Sequence, residues 1–489
     1  MGERSKTAVC ATVTGDTMAE LRRRRDEVAD ADLVELRLDT VRDPDAAAAL
    51  AGRTRPVVVT CRARWEGGHF TGSEEERLRL LAEAWELGAD YVDLEWQAPS
   101  AAAFLERTGG RRVVLSTHDF AGVPSDMDDR FRALAATPAE VVKLAVSPAR
   151  LSDSLPLFAL RPHAEGRAYV ALAMGPAGVP TRVLAARIGS RWSYAGDGWV
   201  PGQMPAARLV GEFRFASIAS GTAVYGVVGN PVMHSLSPAM HNAAFEVERV
   251  DAVYLPLEAA DAPDFLAFAD GIGLAGASVT APFKLALAGA AVLDADAGRV
   301  GALNTLRRGP EGWEATNTDV EGFLAPLVPR FELAGARAAV LGAGGAARAV
   351  AVALRSRGAR VTLHGRRLEQ AQDVARAAGV GCAAWPPAPG SWDLLVNATP
   401  VGTAPRDETP WPNADLDGRF VYDLVYNPPL TRLLREAATA GCQTLGGLEM
   451  LVAQAARQFE WWTGKRPDAS AMRRAAIRRL ADERTLTTS

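Results

Sequence analysis

The chain has 489 residues, 48% hydrophobic and 23% charged, with a formal net charge of −4. That length leaves room for two or three cores, and the balance of charge carries no footprint for nucleic acid or an anionic membrane. Cys10, Cys61, Cys382 and Cys442 are scattered, with no CxxC pair, no His/Cys cluster, no membrane-length apolar run and no signal-peptide core in the sequence, so a reducing cytoplasmic setting without disulfides or metal is expected.

Eight apolar, strand-like runs recur through residues 7–215: TAVCATV, LVELRLD, PVVVTCR, YVDLEW, RVVLSTHD, VVKLAV, YVALAM and RWSYA. The stretches between them have helical period, and eight strand-helix units are what a closed parallel barrel needs. The arginine run at 22–25 is followed by Asp26 and Glu27 at i,i+4 from its start, which predicts a solvated helix face. Polar residues interrupt the strand runs at Glu35, Arg37, Arg62, Glu95, His118 and Lys143, and are expected at the C-terminal ends of the strands, where barrel chemistry gathers.

Only four of the 54 basic residues are lysines, and two of them, Lys143 in VVKLAV and Lys284 in SVTAPFK, sit in short segments that read as catalytic. A lysine can lose its proton and attack a carbonyl, whereas an arginine cannot form an imine. Lys6 and Lys465 carry no such signal. His118 and Lys143, on successive strands, are the equipment for imine formation followed by proton abstraction from the adjacent carbon. Arg37 and Arg62 are expected to bias the amine toward its neutral form by repulsion, and Arg182 to hold a carboxylate.

The segments ELRLD, CRARWEGG, STHDF, VVKLAV, AMGPAGVPTR and PGQ, in this order, resemble type I 3-dehydroquinate dehydratase. The resemblance implies a Schiff base from Lys143 to a substrate ketone, with His118 as the proton-transfer group and Glu66 positioning both. Glu35, Arg37, Arg62, Arg182 and Gln203 would hold the substrate's hydroxyls and carboxylate. Trp199 departs from the serine usual in that family.

A polar stretch at 217–222 precedes a fresh strand, AVYGVVGNP, and marks a domain boundary. Beyond it come HSLSPAMHN, SVTAPFK, ALNTL and ATNTD. Ser235 and Ser237 can offer two hydroxyls to one anionic group, and their spacing equally suits a local turn. Lys284 and Asp319 suit a proton-relay pair or a surface ion pair. Further on, AAVLGAGGAARAVAVALRSRG runs from a strand through Gly342, Gly344 and Gly345 into a helix. That context predicts a dinucleotide pyrophosphate at the helix N-terminus. After the next strand stand Gly365, Arg366 and Arg367, with no acidic residue for a ribose hydroxyl; guanidinium groups suit a 2′-phosphate, and NADP is expected.

GNPVMHSLSPAMHN, VTAPFK, GALNTL, NTD, GAGGAAR, VNATPVG, DLVYNPPLT and GGLEMLVAQAARQFEWWTG resemble shikimate dehydrogenase in order. The resemblance implies Lys284 and Asp319 as the catalytic pair, with Ser235, Ser237, Thr280, Asn304, Tyr426 and Gln454 on the substrate. Gly342, Gly344, Gly345, Ala346, Arg366, Arg367, Asn397, Gly447 and Met450 fall to the cofactor. Ser278 and Gly365 depart from the asparagines common at their positions. The expected domains are a (β/α)8 barrel over 1–218, a substrate-binding α/β domain over 223–325, a Rossmann NADP domain over 326–445 and returning helices over 446–482. Joined in plant-type order, the halves imply consecutive dehydration and NADPH-dependent reduction in the shikimate pathway. The nearest enzymatic alternative is a quinate dehydrogenase, which the retention of both serines and both arginines disfavours. A binding protein that kept the folds without the chemistry is disfavoured by the intact lysines, base and glycine loop.

Overall fold

The computed structural model describes residues 7–196, 202–412 and 415–488. The departure at Trp199, with Pro201 beside it, lies outside the described residues. Contacts divide the chain into two units, one containing residues up to 224 with 230–233 and 251–274, the other containing 225–229, 234–250 and 275 onward. No helix among the described residues is long and apolar enough to cross a membrane.

All eight runs of the first unit form strands: β1 (Ala8–Val13), β2 (Leu33–Arg37), β3 (Val57–Thr60), β4 (Tyr91–Glu95), β5 (Val113–Asp119), β6 (Val141–Val146), β7 (Ala168–Ala173) and β8 (Trp192–Ala195). They lie in the order β7-β6-β5-β4-β3-β2-β1-β8, every neighbour parallel. Between β7 and β8, Arg191 N–H donates to Tyr169 O at 2.7 Å. The Ser190 hydroxyl accepts from Ala171 N–H and donates to Ala171 O. These bonds draw the two ends together into a barrel.

Strand side chains alternate faces, so each strand feeds two cores. One set, including Cys10, Leu33, Val58, Val114, Val141, Val170 and Trp192, forms an apolar cluster. The other set, including Val34, Val57, Val59, Leu94, Leu115, Val142 and Leu144, packs with the surrounding helices. Two residues beyond members of the first set stand Glu35, Thr60, Ser116, Lys143 and Tyr194, which therefore share its face. Lys143 is thus the third residue of β6, deeper in the strand than the C-terminal end expected for it.

The helix Met18–Glu27 corrects the arginine run in part. Arg23 and Arg24 pair with Glu27 and Glu20 at the surface, but Arg25 is buried, with Nη1 on Ala49 O at 2.7 Å. Its long stem packs while its head finds a carbonyl. The strand β10 (Ala252–Glu258) and the helix Ala262–Ile272 also belong to this unit. Buried Asp264 explains the grouping, because its carboxylate accepts from Leu151 N–H and Ser152 N–H as well as Ala260 N–H.

In the second unit β9 (Ala223–Gly229), β11 (Gly276–Val279), β13 (Thr305–Gly309), β14 (Gly312–Thr316) and β12 (Ala291–Leu293) lie side by side in that order. A further sheet is all parallel: β15 (Arg337–Leu341), β16 (Arg360–His364), β17 (Gly381–Ala383), β18 (Leu394–Asn397), β19 (Phe420–Asp423) and β20 (Gln443–Gly446). Its order, β17-β16-β15-β18-β19-β20, reverses direction between β15 and β18. This is the doubly wound arrangement, in which ligands lie beyond the strand ends at the reversal. The helix Gly345–Ser356 starts there and presents Ala347, Val350, Ala351 and Leu354 to the core at helical spacing.

Candidate active sites

A cavity of about 390 Å³ opens in the barrel, lined among others by Glu35, Arg37, Arg62, Glu66, His118, Lys143, Arg182 and Gln203. The eight residues expected to act on the substrate in the first half meet there, whereas Glu95, also expected at the strand ends, bonds Arg62 and is not among the lining residues. Lys143 Nζ donates to Asp93 Oδ2 at 3.1 Å and stands 3.7 Å from Glu35 Oε1, with the Tyr194 ring centroid 4.3 Å away. The expected repulsion from two arginines is therefore offset. Arg37 is held in both arms by Asp39, and Arg62 donates to Asp93 and Glu95.

His118 Nδ1 lies 2.9 Å from Glu66 Oε2. Burial, then the charges of Arg62 and Lys143, hold the imidazole well below its ordinary range, so it is neutral and available as a base. Burial pushes Glu66 up to about 7, against the pull of Arg62. Burial opposes the charge of Asp93 too, but Arg62 and then Lys143 hold that carboxyl well below the usual range. Arg182 differs from the other cavity arginines. It is buried, its Nε has no partner among the described residues, and burial alone pushes it down to about 10. A buried guanidinium without a counterion is a receptor for a carboxylate. Gln203 Oε1 is likewise unpartnered among the described residues, while its amide nitrogen reaches Thr12 at 3.4 Å.

In the second unit Lys284 Nζ donates to Asp319 Oδ2 at 2.5 Å. Asn304 Nδ2 donates to Asp319 Oδ1 at 2.8 Å, and Asn304 Oδ1 accepts from Thr318 N–H. A backbone N–H can only donate, which fixes the orientation of that amide and leaves Oδ2 of Asp319 to the lysine. The pair is not an exposed surface ion pair, Asp319 being 7% exposed and Lys284 half-buried. Ser235 Oγ accepts from Ser237 N–H at 3.2 Å, the local turn, at the start of the helix Ser237–Val247. Thr280 N–H pairs with Val228 O. Gln454 enters this region on the helix Gly447–Thr463, because Gly322 lets that helix approach; a Cβ on Gly322 would stand 2.6 Å from Gln454 Cβ. Tyr426 follows β19 and is half-buried.

The glycine loop leads to the same place. Gly342 has φ +119°, and a Cβ there would meet Ala398 O at 3.0 Å. Gly344 and Gly345 are exposed, Ala346 is half-buried, and a Cβ on Gly345 would stand 3.6 Å from Lys284 Cδ. The open helix start and the lysine are neighbours. Arg366 and Arg367 are exposed just past β16. Asn397 is different: its amide is occupied by Asp423, Val401 and Thr399, so its side chain holds the loop together. Gly447 packs against Leu424 O, and Met450 belongs to the core.

Residues 9–219 match the family described as type I 3-dehydroquinase. Residues 227–306 match the shikimate dehydrogenase substrate binding domain, and 447–477 the shikimate 5′-dehydrogenase C-terminal domain. The chloroplastic bifunctional 3-dehydroquinate dehydratase/shikimate dehydrogenase of Arabidopsis thaliana is 33% identical over 94% of this chain and 83% of its own. The chain belongs to this bifunctional family. A shikimate dehydrogenase (NADP(+)) of Halobacterium salinarum is 43% identical over 53% of this chain and 99% of its own. A crystal structure of a shikimate dehydrogenase in complex with NADP+ is 32% identical, covers 54% of this chain and 97% of its own, and has a TM-score of 0.51.

Several groups in these dehydratase and dehydrogenase sites escaped the sequence reading. Asp93 stands two residues before the expected Glu95 in β4 and so shares its face, a signal that strand alternation carries. Asp39 is two beyond Arg37 but follows the strand end in a 3-10 turn, where alternation says nothing. Gln458 is buried on the helix Gly447–Thr463; its Oε1 accepts from Ser278 Oγ at 2.6 Å and its Nε2 donates to Thr305 Oγ1 at 3.0 Å. Only the fold brings those three elements together.

Proposed function

We propose that this chain dehydrates 3-dehydroquinate to 3-dehydroshikimate in the barrel and reduces that product to shikimate with NADPH in the second unit. Residues 1–218 carry the first step on this reading and 223–482 the second, in the cytoplasm, where four free thiols are at home. The observation that carries the reading is a lysine amine and a histidine imidazole lining one cavity, beside a buried arginine with no counterion among the described residues.

Arg182 receives the substrate carboxylate, and Lys143 attacks the ketone to form an imine, the ketone oxygen leaving as water; after elimination a water hydrolyses the imine and frees the product. The imine withdraws electrons from the adjacent C–H bond, and His118 removes that proton, then returns one to the departing hydroxyl. Glu66 orients the ring through Nδ1, and Glu35, Arg37, Arg62 and Gln203 bind the remaining oxygens. In the second unit Ser235, Ser237, Thr280, Asn304, Tyr426 and Gln454 surround the substrate, and Lys284 presents a proton to the carbonyl oxygen while Asp319 holds its ammonium. The residues present fit NADP. The glycines leave space beside the free N–H groups of a helix start, and two exposed arginines stand where a 2′-phosphate would lie. When bound, NADPH supplies the hydride. Gly447, Met450 and the loop held by Asn397 border that place.

Purified protein given 3-dehydroquinate and NADPH should yield shikimate, and borohydride added with 3-dehydroquinate should leave an adduct on Lys143. Turnover without that adduct would dismiss the Schiff base. Each charge-assisted bond to a 2′-phosphate contributes about 1.5–3 kcal/mol, so Arg366→Ala should cut the NADPH preference about tenfold. Equal kcat/KM for NADH in the parent enzyme would remove the cofactor assignment.

A further inference from the structure

We propose that Arg77 is a positioning residue for the dehydratase centre, acting from the helix outside the barrel wall on the charge balance around Lys143. The proposal rests on the reading of Lys143 as the imine-forming lysine. Arg77 lies on the helix Glu74–Glu86 yet is only 1% exposed. Its Nη1 donates to Glu95 Oε2 at 2.5 Å and to Cys61 O at 3.0 Å, and its other nitrogens to Glu74. Glu95 Oε1 accepts in turn from Arg62 Nη1 at 3.1 Å and from Ala63 N–H. Arg62 Nη2 donates to Asp93 Oδ1 at 2.8 Å, and Asp93 Oδ2 takes Lys143 Nζ.

Charges therefore alternate along one hydrogen-bonded line: Glu74, Arg77, Glu95, Arg62, Asp93, Lys143. All but Glu74 are buried. Buried ion pairs add little net stability, because desolvation offsets their attraction. Their strong effect is on which protonation state a neighbour adopts, since buried charge is poorly screened. Lys143 is faced by Asp93 from β4, Glu35 from β2 and the Tyr194 ring from β8. His118 from β5 and Arg62, which follows β3, also lie within electrostatic reach, with Glu66 bonded to His118 and Arg37 behind Glu35. Dehydration needs the Lys143 amine and the Glu66 carboxylate both unprotonated. An uncompensated Glu95 charge favours the protonated form of each, and Arg77 supplies the compensation from outside.

The test compares Arg77→Met, Arg77→Lys and Glu95→Gln in the full chain by the pH dependence of dehydratase kcat/KM. Arg77→Met should move the limb that rises with pH upward by about one unit, tenfold at a fixed pH on that limb. Glu95→Gln should move it downward, Arg77→Lys should restore most of the parent profile, and dehydrogenase activity should stay unchanged throughout. A loss in Arg77→Met that is equal at every pH, or displacement of both variants in one direction, would assign Arg77 a structural role only. If Arg77→Met does not accumulate folded, Glu95→Gln decides alone, a downward limb supporting the proposal and an unmoved or upward limb overturning it. Absence of a borohydride adduct on Lys143 in the parent enzyme would instead remove the reading beneath it.

Discussion

At the scale of single residues, the pair Glu66 and His118 sets a pH dependence. With Glu66 at about 7 and His118 held neutral, the state of the carboxyl dictates the tautomer. Ionised Glu66 accepts Nδ1–H and leaves the Nε2 lone pair to act as base; protonated Glu66 donates to Nδ1 and places the hydrogen on Nε2. Dehydratase kcat/KM should therefore rise with pH through about 7. Glu66→Gln, whose amide oxygen accepts from Nδ1 at every pH, should flatten that limb at the cost of a lower plateau. A limb still present in the variant would place the controlling group elsewhere. The residues that bear this chemistry were legible in sequence because few side chains form imines or relay protons. Their partners were not, because a carboxylate such as Asp93 is ordinary until the barrel sets it against Lys143.

At the scale of elements, the barrel strands were legible from apolar runs at regular spacing, and the parallel sheet from its strand-glycine-helix signature. The fastening between elements was hidden. Asp423 ends β19, and its carboxylate accepts from Asn397 Nδ2, Val425 N–H and Thr431 Oγ1. Burial outweighs those bonds and pushes it up to about 6. A folded-state value above the unfolded value means that the stability contribution is full below about 3.9 and is lost as pH rises through about 6. Asp423→Asn keeps one oxygen for Asn397 and Val425 and turns an N–H toward Thr431. Its stability relative to the parent should thus rise between pH 4 and 7 by about 2–3 kcal/mol, read from denaturant midpoints of the second unit. A difference independent of pH would mean that Asp423 is ionised throughout that range.

At the scale of the whole molecule, the proposed reacting groups of each step, among the described residues, come from one unit. The cavity around Lys143 is lined from the first unit, and Lys284, Asp319, Asn304 and the glycine loop come from the second. On that proposal, no group assigned to one step among the described residues is also assigned to the other. Lys284→Ala should abolish reduction, because the proton donor and the partner of Asp319 are both removed, while 3-dehydroquinate is still converted to 3-dehydroshikimate at nearly the parent rate. Lys143→Ala should stop dehydration, because alanine cannot form an imine, and leave reduction of added 3-dehydroshikimate with NADPH intact. Mixing the two variants should then restore the overall conversion, with a lag set by accumulation of the free intermediate in solution. Loss of both activities in either folded variant would show that the sites are coupled through the chain, and failure of the mixture despite both partial activities would show that the intermediate does not pass through solution.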